Sequence, residues 1–321
     1  MTDKRYSPEG VRLGSGENAA YTATVSGLQR AMAQGRILEG IARMCDCATM
    51  TLQVDLGGCT GIIERKEAAY NHDGSEAKDI AIITRVGKPV CFKVLRLGEK
   101  DGRPVAYLSR RAAQEECMRE WVMKLTPGDI LPAKITHLEP FGAFVDIGCG
   151  IVSLLTVDCI SVSRISHPSE RFSPGESIMA IVKSVDPDSG RVYMTHRELL
   201  GTWEENVARF APTQTVSGIV RSIEPYGIFV ELSPNLAGLA ELREDVRVGD
   251  RCAVYIKSIL PDRMKIKLVI IDAHGESHPS GMQYFVDTSA VDHMDYWRYS
   301  PEGCTKRVET RFGGFPQKSP Q

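Results

Sequence analysis

The sequence lacks the features that mark several common classes of protein. Its nine cysteines include no C-x-x-C pair, so we expect reduced, mostly buried thiols rather than disulfides or a zinc site. No run of 18 apolar residues occurs and the first residues are polar, so neither a membrane span nor a signal peptide is expected. The formal net charge of −2 excludes a uniformly basic surface. These absences predict a cytoplasmic protein that holds any polyanion by local patches.

Catalytic motifs are missing as well. The chain has no G-x-x-x-x-G-K-[ST], G-x-S-x-G or H-E-x-x-H sequence. His167 and His196 have no evident acidic or nucleophilic partner, and single histidines of this kind are usually structural or solvated. The sequence therefore predicts no enzyme, no catalytic residue, no cofactor and no metal.

The most informative feature that is present is an internal repeat. The segment Glu139-Pro-Phe-Gly-Ala-Phe-Val-Asp-Ile147 returns 85 residues later as Glu224-Pro-Tyr-Gly-Ile-Phe-Val-Glu-Leu232. A third, weaker copy begins at Gly35. Each copy contains about five short β-type runs in roughly 60 to 80 residues. This pattern is typical of the five-stranded Greek-key barrel of the oligonucleotide-binding (OB) class.

The predicted architecture is mainly β, with three tandem five-stranded OB-fold barrels, the first degenerate, joined by short helices. The expected units are a polar N-terminal segment with a candidate helix (1–33), a degenerate barrel (34–112), two RNA-binding barrels (124–200 and 211–272) and a largely disordered tail (273–321). Linking helices are predicted over 112–125 and 198–211. One curiosity is that Arg5-Tyr-Ser-Pro-Glu-Gly10 recurs verbatim as Arg298-Tyr-Ser-Pro-Glu-Gly303.

At these residues the chain resembles the RNA-binding motif of the bacterial ribosomal protein S-one family. The resemblance is carried by Pro-Gly-Asp at 127–129, Phe-Gly-Ala-Phe-Val-Asp-Ile-Gly at 141–148 and Gly-Arg at 190–191. It is strong over 124–197, good over 213–271 and faint over 35–111. It implies OB-fold barrels that bind single-stranded RNA, with messenger RNA and the small ribosomal subunit as partners.

The resemblance also implies an RNA-binding face built from two aromatic residues, a histidine, an acidic residue and an arginine. The second barrel supplies Phe141, Phe144, Asp186 and Arg191, with Thr156 at the place of the histidine. The third barrel supplies Tyr226, Phe229 and Lys265, with Glu241 at that place. The first barrel has Met50, Gln53 and Glu64 instead, so it is expected to be structural or to contact protein.

These residue types suit RNA because flat bases stack on aromatic rings and phosphates attract cations. Gly142 and Gly227 are predicted to allow a local twist that brings both rings of each pair to the surface. The cations expected to neutralise phosphates are Lys134, Lys183, Arg191 and Arg197 in the second barrel, and Arg221, Lys257, Lys265 and Lys267 in the third. The alternative is that the rings complete a core and the cations form a solvated face.

Three functions stay open at this point. The first is an RNA binder that holds messenger RNA in translation. The second is an accessory factor of RNA turnover or transcription, and the third is a scaffold whose barrels bind protein. The oligomeric state is not predicted.

Overall fold

The computed structural model describes residues 4–276 and 282–313. Three closed five-stranded barrels follow one another along the chain, and a two-stranded sheet comes after them. In each barrel the first three strands are neighbours, the fifth strand lies beside the third, and the fourth closes the barrel against the first. The predicted fold of tandem five-stranded barrels is therefore confirmed. Within the described ranges no helix is long and apolar enough to cross a membrane.

Fifteen strands, five in each unit, form the three barrels. Barrel 1 consists of β1 (Leu38–Asp46), β2 (Thr51–Asp55), β3 (Thr60–Ile63), β4 (Pro89–Lys100) and β5 (Arg103–Ser109). Barrel 2 consists of β6 (Ile130–Glu139), β7 (Gly142–Asp146), β8 (Val152–Thr156), β9 (Ser177–Asp186) and β10 (Arg191–Thr195). Barrel 3 consists of β11 (Thr215–Glu224), β12 (Gly227–Ser233), β13 (Leu236–Ala240), β14 (Asp250–Leu260) and β15 (Lys265–Glu276). The final sheet pairs β16 (Tyr296–Arg298) with β17 (Glu309–Arg311).

The strands alternate between core and surface, as a half-buried sheet requires. In β7, Ala143 and Val145 are fully buried, while Phe144 between them points outward. The first strand of each barrel also carries a bulge in its pairing with the second, which in barrel 2 falls between Ile135 and His137. A bulge sharpens the local twist and helps a short sheet to close.

Two helices lie before barrel 1, one lies within it between β3 and β4, and two link the barrels. They are α1 (Gly16–Thr22), α2 (Val25–Ala33), α3 (Asp79–Ile83), α4 (Arg110–Glu120) and α5 (Trp203–Val207). The candidate helix of the N-terminal segment is in fact two helices, because Thr24 caps the start of α2 through its side-chain oxygen. The second linking helix is shorter than predicted because Gly201, at φ +81°, ends the preceding 3-10 turn.

The N-terminal segment ties barrel 1 to barrel 2. Glu9 is 5% exposed, and its carboxylate accepts hydrogen bonds from Arg110 Nε (2.7 Å) and Nη2 (3.0 Å) and from the Cys91 amide (3.0 Å). The Glu9 amide donates to Asp146 Oδ2 at 2.7 Å. Burial, together with the nearby Glu9 carboxylate, raises the pKa of Asp146 to about 7. This polar N-terminal segment is therefore part of the packed structure.

A second buried carboxylate holds the same segment to barrel 1. Glu39 of β1 is 1% exposed, and its Oε2 accepts hydrogen bonds at 3.0 Å from the amides of Gly10, Arg12 and Leu13. Burial, with the neighbouring Glu9 carboxylate, raises the pKa of Glu39 to about 7. Loss of the Glu39 proton as pH rises from the ordinary pKa of 4.5 to about 7 therefore lowers the stability of the folded state.

Barrels 2 and 3 are joined by a buried ion cluster. Arg221 of β11 makes a two-point contact with Glu231 of β12, with Nε to Oε2 at 2.8 Å and Nη2 to Oε1 at 3.0 Å. Arg171, in the loop between β8 and β9, contacts Glu231, and Glu170 of the same loop contacts Arg221. The side chains of Arg171 and Glu231 are 4% exposed and that of Arg221 is 9% exposed. The two barrels therefore share a charged core.

The chain after residue 273 differs from the prediction of a largely disordered tail. Strand β15 continues to Glu276, and residues 282–313 pack back on barrels 2 and 3. Trp297 and Tyr299 are each 6% exposed and Phe312 is 5% exposed. These three aromatic residues form no sustained period, so the apolar contacts they make were not evident in the sequence. Residues 277–281 and 314–321 of the predicted tail lie outside the described residues.

Candidate nucleic-acid interface

Two pairs of aromatic rings lie on the outer surface of barrels 2 and 3. Phe141 is 55% exposed, and its ring centroid is 5.9 Å from that of half-buried Phe144, with the planes at 89°. Tyr226 is 69% exposed and lies 6.1 Å from half-buried Phe229, again at 89°. The two repeats therefore place matching edge-to-face pairs on the surface. The alternative that all four rings complete a core does not fit these positions.

The hairpin between the first two strands explains how both rings reach the surface. Phe141 lies in the turn before β7, so the alternation of a strand does not apply to it, while Phe144 takes an outward position within β7. The predicted twist at Gly142 is not the cause. A Cβ at Gly142 would lie 2.5 Å from the Leu155 carbonyl oxygen, so this glycine permits β7 and β8 to approach closely.

A row of outward side chains continues from Phe144 around barrel 2, one from each strand. In cross-strand order the row is His137, Phe144, Leu154, Tyr193 and Ser184. The His137 ring is nearly parallel to that of Phe144, with centroids 6.3 Å apart and planes at 21°. Neither His137 nor Tyr193 is among the binding residues predicted from the sequence. The signal that would have found them is strand register, since directly opposed residues on one face are neighbours.

The comparisons with known proteins agree with this geometry. Residues 124–197 match the family model described as the S1 RNA binding domain. Barrel 2 is an S1 domain. The resemblance to the S-one motif is thus confirmed for this part of the chain.

Two curated relatives match more of the chain than the S1 domain. The small ribosomal subunit protein bS1 of Rhodopseudomonas palustris is 29% identical over 196 residues, which is 60% of this chain and 33% of the relative. The bS1 homolog of Bacillus subtilis is 28% identical over 220 residues, or 66% of this chain and 56% of the relative. A solved structure of a multidomain protein with nucleic acid binding domains from Streptococcus pneumoniae is similar over 76% of this chain and 75% of that protein's chain, at 14% identity and a TM-score of 0.23. The chain thus spans between a third and just over half of these curated relatives.

Barrels 1 and 3 have rows in the same register as that of the S1 domain, with different chemistry. The row of barrel 3 is Ser222, Phe229, Leu239, Lys267 and Ser258. The row of barrel 1 is Met44, Gln53, Ile62, Tyr107 and Arg96. In barrel 1 the Arg96 guanidinium lies 3.2 Å from the centroid of the Tyr107 ring, so one face of that ring is occupied. The three barrels therefore offer unequal surfaces to a base.

The acidic and basic residues at the end of β9 and the start of β10 have distinct environments. Asp186 accepts hydrogen bonds from the amides of Asp188 (3.1 Å) and Ser189 (3.4 Å) and from the Ser189 hydroxyl (2.5 Å). The Ser189 hydroxyl holds the pKa of Asp186 below its usual range. Arg191 lies directly opposite Asp186 and is exposed. Asp186 thus fixes the turn that presents Arg191.

Four of the predicted lysines remain on the surface. Lys257, Lys265 and Lys267 of barrel 3 are exposed, and Lys267 belongs to the outward row beside Leu239. Lys183 of the S1 domain is also exposed, and its ammonium group lies 3.2 Å from Cys159 Sγ. These side chains are available to counter phosphates.

Three of the predicted cations are engaged within the protein, which corrects their assignment as surface groups. Lys134 donates to the Glu9 carbonyl at 3.0 Å, beneath the N-terminal segment. Arg197 donates to the Asp158 carbonyl and to Thr310 Oγ1, both at 3.3 Å, and so holds the C-terminal segment. Arg221 belongs to the buried ion cluster. Their partners are remote in sequence, so residue type alone did not reveal them.

Proposed function

We propose that this chain binds single-stranded RNA through the outer faces of barrels 2 and 3. The repeated ring pair carries the proposal, since both barrels hold an exposed ring perpendicular to a half-buried one at about the same distance. Exposed apolar rings are typical of binding surfaces when they cluster. Stacking contributes about 1–3 kcal/mol per base and accepts any base. The expected ligand is therefore unstructured RNA with little sequence preference.

The names of the relatives suggest a ligand and a partner for this chain. Both curated relatives are small ribosomal subunit proteins by name. On this basis we take messenger RNA as the ligand, the small ribosomal subunit as the partner, the cytoplasm as the location, and binding rather than catalysis as the role. Co-sedimentation with small ribosomal subunits tests the proposed partner. RNA binding without co-sedimentation would favour an accessory role in RNA turnover or transcription.

Barrel 1 favours a second role, in contact with protein. Its row contains Met44 and Ile62, and Arg96 covers the face of its single aromatic ring. Such a surface offers a base no open platform, whereas apolar side chains mixed with a guanidinium suit a protein partner. We therefore assign RNA binding to barrels 2 and 3 only.

The test is fluorescence anisotropy of a labelled, unstructured RNA titrated with the full chain at two salt concentrations. Binding should weaken as salt rises, because phosphate contacts release counterions. The double change Phe141→Ala and Phe144→Ala should weaken binding at least about fivefold, the loss of one stacked base. Tyr296→Ala is the matched control, because this ring is 43% exposed on the final sheet, outside the barrels.

Two outcomes would contradict the proposal. Failure of the unaltered chain to bind RNA at either salt concentration would favour the protein scaffold. A collapse of the thermal melt in the Phe141 and Phe144 variant would show that these rings stabilise the core instead of serving a ligand.

A further inference from the structure

The angles between the rings of barrel 2 determine how consecutive bases can stack there. Phe141 and Phe144 are perpendicular, so a base lying flat on Phe144 meets Phe141 edge-on. His137 is turned only 21° from Phe144, so bases lying flat on these two rings are almost parallel to each other. Neighbouring bases of a single strand stack most readily when their planes are parallel. A base next to the one on Phe144 can therefore stack parallel to it on His137, but not on Phe141.

We propose that His137 is a base-stacking residue of barrel 2 and that Phe144 and His137 together receive two consecutive bases. This inference rests on the proposed function, which it deepens by naming a contact that the repeated sequence does not contain. The resemblance implies a histidine at position 156, where this chain has Thr156. The imidazole comes instead from His137 of β6, which lies opposite Phe144 in the hairpin.

The local structure fits this role. The His137 side chain is 63% exposed, so one face of the imidazole is open to a base. Its Nε2 lies 2.7 Å from Glu139 Oε1, and this contact restrains the ring. A ring that is already restrained loses less conformational entropy when a base stacks on it. The bulge between Ile135 and His137 sets the outward position of the ring.

Barrel 3 supplies an internal comparison. Its perpendicular pair, Tyr226 and Phe229, matches that of barrel 2, but Ser222 stands opposite Phe229 in the place of His137. The parallel ring is therefore absent from barrel 3, and this barrel should hold one base fewer. The two barrels then differ in affinity although their ring pairs are alike.

The experiment uses the full chain and a single-stranded RNA that carries 2-aminopurine, whose fluorescence falls when it stacks. His137→Ala should weaken binding at least about fivefold, as expected for one stacked base. It should also leave the probe less quenched at saturating protein. His137→Phe keeps a flat ring and should stay within about twofold of the unaltered chain. Tyr296→Ala, which removes an exposed ring on the final sheet outside the barrels, is the matched control and should change neither measurement.

The outcomes separate this inference from the proposed function. If the unaltered chain does not bind RNA, the proposed function fails. If the chain binds, the Phe141 and Phe144 variant binds weakly, and His137→Ala behaves as the unaltered chain, only the role of His137 is refuted. A loss in His137→Phe equal to that in His137→Ala would also refute stacking. Ser222→His, which places an imidazole opposite Phe229, should strengthen binding if the inference holds.

Discussion

The buried ion cluster between barrels 2 and 3 gives the sharpest prediction about stability. The Glu231 carboxylate pairs with both Arg171 and Arg221, and all three side chains are less than 10% exposed. Burial lowers the pKa of Arg171 even with Glu231 beside it, so its charge is already disfavoured there. The change Glu231→Ala would leave two buried guanidinium groups facing each other without their common partner.

The expected loss follows from the cost of an uncompensated buried charge. Removing one partner of a buried ion pair typically destabilises by about 3–5 kcal/mol. For a unit of about 150 residues, each kcal/mol lowers the melting temperature by about 2–4 °C, so the shift should be roughly 6–20 °C. The carboxylate of Glu170, which is partly exposed, stays paired with Arg221 and reduces the loss at that guanidinium.

The assay is urea unfolding followed by circular dichroism, with thermal melting beside it. Asp245→Ala is the matched control, because Asp245 makes a two-point contact with Arg243, at 2.9 and 2.5 Å, but its side chain is 63% exposed. An exposed pair of this kind contributes little because water and salt screen it. If Glu231→Ala lowered stability no more than Asp245→Ala, the reasoning about the buried cluster would be refuted.

Three further predictions concern pH, salt and the second ring pair. The pKa of Glu39 is about 7 in the folded state against an ordinary 4.5, so the free energy of unfolding should fall as pH rises between these two values. Glu39→Gln should make this fall smaller when urea unfolding is measured from pH 5 to 8. Arg191→Ala should make the slope of log affinity against log salt shallower, and an unchanged slope would remove Arg191 from the phosphate contacts. Tyr226→Ala with Phe229→Ala should weaken RNA anisotropy binding less than the corresponding change in barrel 2, because barrel 3 lacks the parallel ring.

The barrels were predictable because their information is local and repeated. The segment from Glu139 to Ile147 contains a turn, two outward ring positions and alternating core residues, and its second copy made the unit visible. Strand pairing within a hairpin depends on neighbours in sequence, so Phe141 and Phe144 could be placed without a structure. His137 and Tyr193 needed the register between strands, which the repeat did not supply.

The contacts between units were not predictable in the same way. Arg221 reads as a surface cation on a strand, yet its partners Glu231 and Glu170 lie on two different barrels. The two copies of the duplicated hexapeptide also differ in their contacts. The tyrosine is 6% exposed in both copies, but the glutamate is buried against Arg110 in the first copy, as Glu9, and exposed in the second, as Glu302. Identical sequences thus take different environments, because the partners come from distant parts of the chain.

These contacts bear on RNA binding as well as on stability. When two sites are linked, the second binding event is intramolecular, and its gain is largest when the link holds the sites at the separation the ligand spans. The cluster around Glu231 fixes barrel 3 against barrel 2, and so fixes the distance between their ring pairs. Glu231→Ala should therefore weaken binding of an RNA long enough to reach both barrels more than it weakens binding of a short RNA. Equal losses for the two RNAs would mean that the barrels bind independently, and the buried cluster would then serve stability alone.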